Sequence, residues 1–186
     1  MLLLMATTTA TRALTMDSQG CFLLSSAQDL TDFATLVNGG TTTAKAKLMA
    51  NITLTETWGG IGTSENNFNG MFDGQGYTVS GVTGSSGLFS VIGSGGTVKS
   101  VVVDGSIYNG NGAGGIANNN SGTITQCGFI GSIGGGGGIN NGYVAGIAGY
   151  SGGTISHCFN CGTVSARYVG GIVGYLLTSG SVSHCL

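Results

Sequence analysis

Five cysteines, two histidines and seven carboxylates are the side chains best equipped for chemistry, and their spacing limits what they can do. Cys158-Phe159-Asn160-Cys161 is a lone CxxC pair, whereas a structural zinc site wants two such pairs or added histidines. Cys127, Cys158 and Cys185 share one place in an internal repeat, and another copy carries Val101 there. A position that takes valine or cysteine wants a small apolar group, and a free thiol serves as one. We expect a buried column of thiols. Stacked one strand apart, such residues come within the Cα separation of about 4.4–6.8 Å that a disulfide needs. His157 and His184 share the preceding repeat position, so they are expected to face outward and stack. The equivalent places hold Gln126 and Ser100, so no third ligand in register would complete a transition-metal site.

The carboxylates are Asp17, Asp29, Asp32, Glu56, Glu65, Asp73 and Asp104. Asp73-Gly74-Gln75-Gly76 invites comparison with the turns of β-helical polysaccharide hydrolases. Those enzymes need two carboxylates flanking the glycosidic bond, one to protonate the leaving oxygen and one to activate water or form the glycosyl intermediate. No Asp-Asp pair is present, and Asp73 reads as a turn-stabilising side chain. A lyase would need a base to abstract a sugar-ring proton, and Lys99 near Asp104 is the thin candidate. Gly134 to Gly138 is a flexible loop and no phosphate cradle, because neither Lys-Ser/Thr nor a helix pattern follows. Asn51-Ile52-Thr53 and Asn119-Asn120-Ser121 match glycosylation acceptors. We assign no catalytic, cofactor-binding or metal-ligating residue and expect no cofactor.

The elements that must position these residues announce themselves through composition. Among 186 residues there are 38 glycines and no proline, and only 6% are charged. That excludes charge-driven disorder and, with no Gly-X-Y period, collagen. The net charge is −2, and Arg12, Lys45, Lys47, Lys99 and Arg167 are scattered, so no basic face suits nucleic acid. No run of about 18 apolar residues exists to span a membrane.

A repeat fills the second half. Gly96-Thr97-Val98-Lys99-Ser100-Val101 returns as Gly122-Thr123-Ile124-Thr125-Gln126-Cys127, Gly153-Thr154-Ile155-Ser156-His157-Cys158 and Gly180-Ser181-Val182-Ser183-His184-Cys185. A second element precedes each copy: Gly87-Leu88-Phe89, Gly115-Ile116-Ala117, Gly146-Ile147-Ala148 and Gly171-Ile172-Val173. Spacings run from 25 to 31 residues. A unit of this length holds about three short strands and cannot bury a core alone, so the copies must stack in parallel. The fold expected is an all-β parallel β-helix. Its inward ladders would be Val98, Ile124, Ile155 and Val182, then Val101 with the three cysteines, then Ile107, Ile133 and Val164. Thr97, Thr123, Thr154 and Ser181 would form a single outer hydroxyl column.

The beginning differs. Residues 1–19, starting Met1-Leu2-Leu3-Leu4-Met5, are expected to be unstructured or a truncated leader. Ser26 with Asp29 starts a helix over 26–38, Leu30, Phe33, Ala34 and Val37 give it one apolar face, and Gly39-Gly40 ends it. Such a helix before the first rung would cap the solenoid, with rungs over 46–186 and the β-helix domain over 20–186.

Three motifs carry a resemblance: Phe68 to Gly81, Gly87-Leu88-Phe89, and Gly170-Gly171-Ile172-Val173-Gly174-Tyr175. With the lead-in from Ser26 to Leu54, the chain resembles adhesin-like surface proteins with GLUG-type repeats, of right-handed parallel β-helix type. The resemblance implies a non-enzymatic protein, extracellular or at the cell surface, that binds carbohydrate or protein, and it supplies no catalytic residues. Tyr150, Tyr168 and Tyr175 are the aromatics suited to sugar contact. The alternative is a pectin-lyase-like, polysaccharide-processing enzyme of the same fold, which would hold two close carboxylates in a groove. An open last rung would favour end-to-end self-association.

Overall fold

Strands of the pattern hydroxyl–apolar–hydroxyl put one residue inward and two outward, and the chain stacks them as expected. The computed structural model describes residues 13–108, 112–135 and 142–186. It is a parallel β-solenoid of about six turns with one short helix among the described residues. Its long face has seven parallel strands: Cys21–Leu24, Lys45–Leu48, Met71–Asp73, Thr97–Lys99, Thr123–Thr125, Thr154–Ser156 and Ser181–Ser183. Register runs straight through their centres, pairing Phe22, Ala46, Phe72, Val98, Ile124, Ile155 and Val182 in turn. From Ala46 to Ile155 this column is fully buried, while Val182, on the last strand described, is 38% exposed.

After four of these strands the chain must turn inward sharply. Ser100, Gln126, His157 and His184 do this in the left-handed region, with φ of 54°, 55°, 54° and 53°. Polar side chains tolerate that conformation better than β-branched ones. Each turn drops Val101, Cys127, Cys158 or Cys185 into the interior, and the first three are buried. The bent face follows, where Ile107, Ile133 and Val164 pair in register. A glycine marks its bend because the rungs touch there: a Cβ on Gly131 would collide with the Gly105 carbonyl oxygen. A three-stranded corner (Ala113–Gly114, Tyr143–Ala145, Tyr168–Gly170) and a four-stranded face (Phe89–Ile92, Ala117–Asn120, Ala148–Ser151, Val173–Leu176) close each turn. On the last face the column Ile92, Asn120, Ser151, Leu176 changes from apolar to polar and back. The two buried polar groups satisfy each other, Asn120 Nδ2 donating to Ser151 Oγ at 3.0 Å.

The helix spans Ala27–Asn38 and is capped by Ser26, whose Oγ accepts the Asp29 N–H. Asp29 in turn accepts the Ser25 N–H, close to the reciprocal arrangement expected of a capping box. Leu30, Phe33, Ala34 and Val37 are its buried face. Phe33 meets Phe22, Phe68 and Phe72 with ring centroids 6.0–6.3 Å apart, and Phe89 closes the cluster against Phe68 and Phe72.

Several expectations need correction. The helix does not precede the first strand; it is inserted between Cys21–Leu24 and Lys45–Leu48, so the ladder begins before residue 46. The end of the expected leader is placed as well. Met16 bridges Phe22 antiparallel, and Asp17 accepts the backbone N–H groups of Gln19 and Cys21 in a turn. Residues 1–12 lie outside the described residues, as do 136–138 of the expected glycine loop, whereas Gly134 ends a strand. The hydroxyl column is not single. Thr125, Ser156 and Ser183 pair in a second one below Lys99, with Thr125 and Ser156 hydroxyls 3.0 Å apart.

Candidate functional site

The repeat brings four tyrosines to one corner. Tyr143 and Tyr168 are in register on the three-stranded corner, and Tyr150 and Tyr175 are in register on the four-stranded face. The two layers press together because Gly174 faces the Tyr143–Val144 backbone, where a Cβ would lie 2.8 Å from the Val144 nitrogen. Tyr143 is the hub. Its ring lies 5.5 Å from Tyr150, edge to face, 5.2 Å from Tyr168 and 4.8 Å from Tyr175. Tyr150 and Tyr175 are 6.1 Å apart. Tyr168 and Tyr175 are 40% and 44% exposed, and the other two are half-buried. The Arg167 guanidinium stands 5.5 Å from the Tyr168 ring.

This arrangement offers apolar ring surface, phenolic hydroxyls and one cation, with no carboxylate anywhere after Asp104 in the chain. Such a surface stacks against the C–H faces of a sugar or against another apolar group. Sequence reasoning named Tyr150, Tyr168 and Tyr175 but missed Tyr143. The signal was there: Tyr143-Val144-Ala145-Gly146 and Tyr168-Val169-Gly170-Gly171 are copies of one segment, paired in register on adjacent rungs.

The other candidates fall into separate places. Lys99 bonds Asp73 at 2.9 Å, not Asp104, because the long face pairs Asp73 directly with Lys99. Lys47 similarly bonds Asp17 at 2.8 Å. Asp17, Lys45, Lys47, Asp73 and Gln75 line one shallow depression on that face. The Lys47 bond and two backbone N–H groups pull the Asp17 carboxyl down to about 2. Partial burial pushes the Asp73 carboxyl up, but the Lys99 bond and the Gln75 N–H outweigh it and hold it below the ordinary range. Asp17 in turn raises Lys47. A general acid needs a raised carboxyl, and a lysine base needs a lowered ammonium. Every shift here runs the wrong way for those two roles.

The thiols form the expected column. Cys127 and Cys158 are buried and Cys185 partly so, with the Cys158 N–H donating to Cys185 Sγ at 3.4 Å. Cys161 is exposed, so the two members of the CxxC pair do not share a side. Burial pushes the Cys127 thiol well up, whereas the hydrogen bond from Cys127 lowers that of Cys158. His157 and His184 stack outside with centroids 4.9 Å apart and planes within 3°. Among the described residues no three His, Cys, Asp or Glu side chains converge as a metal site.

No protein family matches the sequence, and no curated protein does. Among solved structures, the fold is similar to a Bacteroides ovatus protein provisionally described as an immunoglobulin A1 protease, with a TM-score of 0.67 at 15% identity. The likeness covers 90% of this chain and 65% of that one, so the chain spans a little under two thirds of its neighbour. At that identity the fold alone carries over, and with the rung-by-rung register it makes this chain a parallel β-solenoid.

Proposed function

We propose that the chain is a non-enzymatic, adhesin-like module, displayed outside the cell or on its surface, that binds carbohydrate through the tyrosine corner. The observation that carries this reading is the convergence of Tyr143, Tyr150, Tyr168 and Tyr175 from two rungs, with Tyr168 and Tyr175 the most exposed of the four. The scaffold under it is stiff, since each rung is hydrogen-bonded to its neighbours and the rings are fixed by strand register. Preformed aromatic surface binds at low conformational cost. The resemblance to GLUG-type surface proteins agrees with this role. Immobilised polysaccharides incubated with the protein and with a Tyr168→Ala/Tyr175→Ala variant test it. The parent should be retained on at least one polysaccharide, and the variant should lose most of that retention while melting normally. Equal retention of the two, or none by the parent, overturns the reading.

A second reading, a polysaccharide-processing enzyme, draws on Asp17 and Asp73 lining one depression with Lys47. Both carboxylates are neutralised by lysine bonds, which disfavours it. Release of reducing or unsaturated sugar ends by the parent, abolished in Asp73→Asn, would establish it instead.

A further inference from the structure

At the opposite end, the helix and the strap Leu54–Gly60 enclose a groove of about 390 Å³. Ligand sites of this general size are common, although this one is open along its length. Ala34, Leu54 and Trp58 form an almost fully buried apolar floor, with the indole N–H already spent on the Leu88 carbonyl at 3.1 Å. Asn38 closes one end, its Nδ2 donating to the Gly60 carbonyl and its Oδ1 accepting the Gly62 N–H.

The helix rim is chemically one-sided. Thr31 Oγ1 donates to the Ala27 carbonyl and Thr35 Oγ1 to the Thr31 carbonyl, each at 2.9 Å. A hydroxyl has one proton, so both oxygens now present only lone pairs to a ligand. Gln28 gives one of its two amide N–H donors to Asp32. From the strap, exposed Glu56 adds a carboxylate with no ion-pair partner among the described residues, and none of Lys45, Lys47, Lys99 or Arg167 lines the groove. Along the helix the groove therefore offers mainly acceptors, with the Glu56 charge opposite and an apolar floor beneath, while Thr55 and Thr57 line the strap side. Its complement carries several donors, one positive charge and an apolar face.

We propose that this groove binds a glycan unit bearing a free primary amine, its ammonium on Glu56 and its hydroxyls donating to Thr31 and Thr35. The site is separate from the tyrosine corner and stands without it. Several hydroxyl donors around one ammonium suit a line of acceptors better than a lysine side chain, which has the ammonium alone.

Titration of the protein with the tetrasaccharide of glucosamine, its fully N-acetylated counterpart and tetralysine tests this. The free-amine sugar should bind at least about tenfold more tightly than the acetylated one, a difference of roughly 1.4 kcal/mol. Glu56→Gln should lose about the same factor, while Asp104→Asn should lose nothing. Glu56 is exposed, so its variant is expected to melt as the parent does. Equal binding of the two sugars, no effect of Glu56→Gln, or tetralysine binding as tightly as the sugar overturns the proposal.

Discussion

The two ends of the solenoid solve the same burial problem differently. Near the start, large rings fill the interior: Phe33 from the helix locks against Phe22 on one side in sequence and against Phe68 and Phe72 on the other. Beyond Thr97 the interior is mostly Val, Ile, Ala and Cys, and on the long and bent faces branched apolar side chains meet their like from rung to rung. Outside, the contrast repeats. The long face starts with alternating charges, Asp17, Lys47, Asp73 and Lys99, and continues as hydroxyl columns. An end that is built once needs unique side chains, whereas a rung that is copied must suit the rung before it.

This contrast can be broken by experiment. Ile155→Asp places an unpaired charge inside a continuous column and should cost more than about 4 kcal/mol, enough to abolish the cooperative melt. A melt at the parent temperature would mean the inward column is wrong. Phe33→Ala should cost about 3–5 kcal/mol. Its effect on hydrogen exchange should be larger at Lys45–Leu48 than at Thr154–Ser156; uniform loss would mean the two ends are one cooperative unit. Gly131→Ala forces a methyl onto the Gly105 carbonyl and should cost about 1–3 kcal/mol by calorimetry. At His157, with φ of 54°, glycine should match or exceed the parent's stability and valine should fall below it by about 1–2 kcal/mol.

The smallest effect concerns acid. Asp17 and Asp73 have folded values below their ordinary ones, so the stability they supply is present above about pH 3.9. It is lost as pH falls through the folded values, toward about 2 for Asp17. Lys47→Met and Lys99→Met together should flatten that part of the acid-unfolding curve and leave the rungs beyond Thr123 unaffected at neutral pH. An unchanged curve would mean that the charges on this face contribute nothing.

How much of this was legible in the sequence follows the same division. The columns of Val98, Ile124 and Ile155 and of the three cysteines could be read because one register error would have turned every side chain over. The stacked histidines followed from the cysteines beside them. Cys21–Leu24 was missed as the first strand, since four residues without a copy give no period to read. Lys99 was assigned to Asp104, five residues along the chain, because nothing in the sequence said that Asp73 sits one rung away. The tyrosine corner depends on two layers touching through glycine, which composition cannot reveal.

Rung length varies while register does not. Thr125 and Ser156 are 31 residues apart, Ser100 and Gln126 only 26, yet each pair occupies equivalent places on adjacent turns. The extra residues enter between Gly134 and Tyr143, where the chain leaves the bent face for the corner carrying the tyrosines. That junction behaves as a graft point: segments of differing length and composition can be spliced in beside the aromatic surface while the interior columns stay aligned. A second vertex also absorbs length, since Thr97 comes five positions after Ile92 whereas Thr123 comes only three after Asn120, so chain length varies at corners while the hydrogen-bonded stack stays in register.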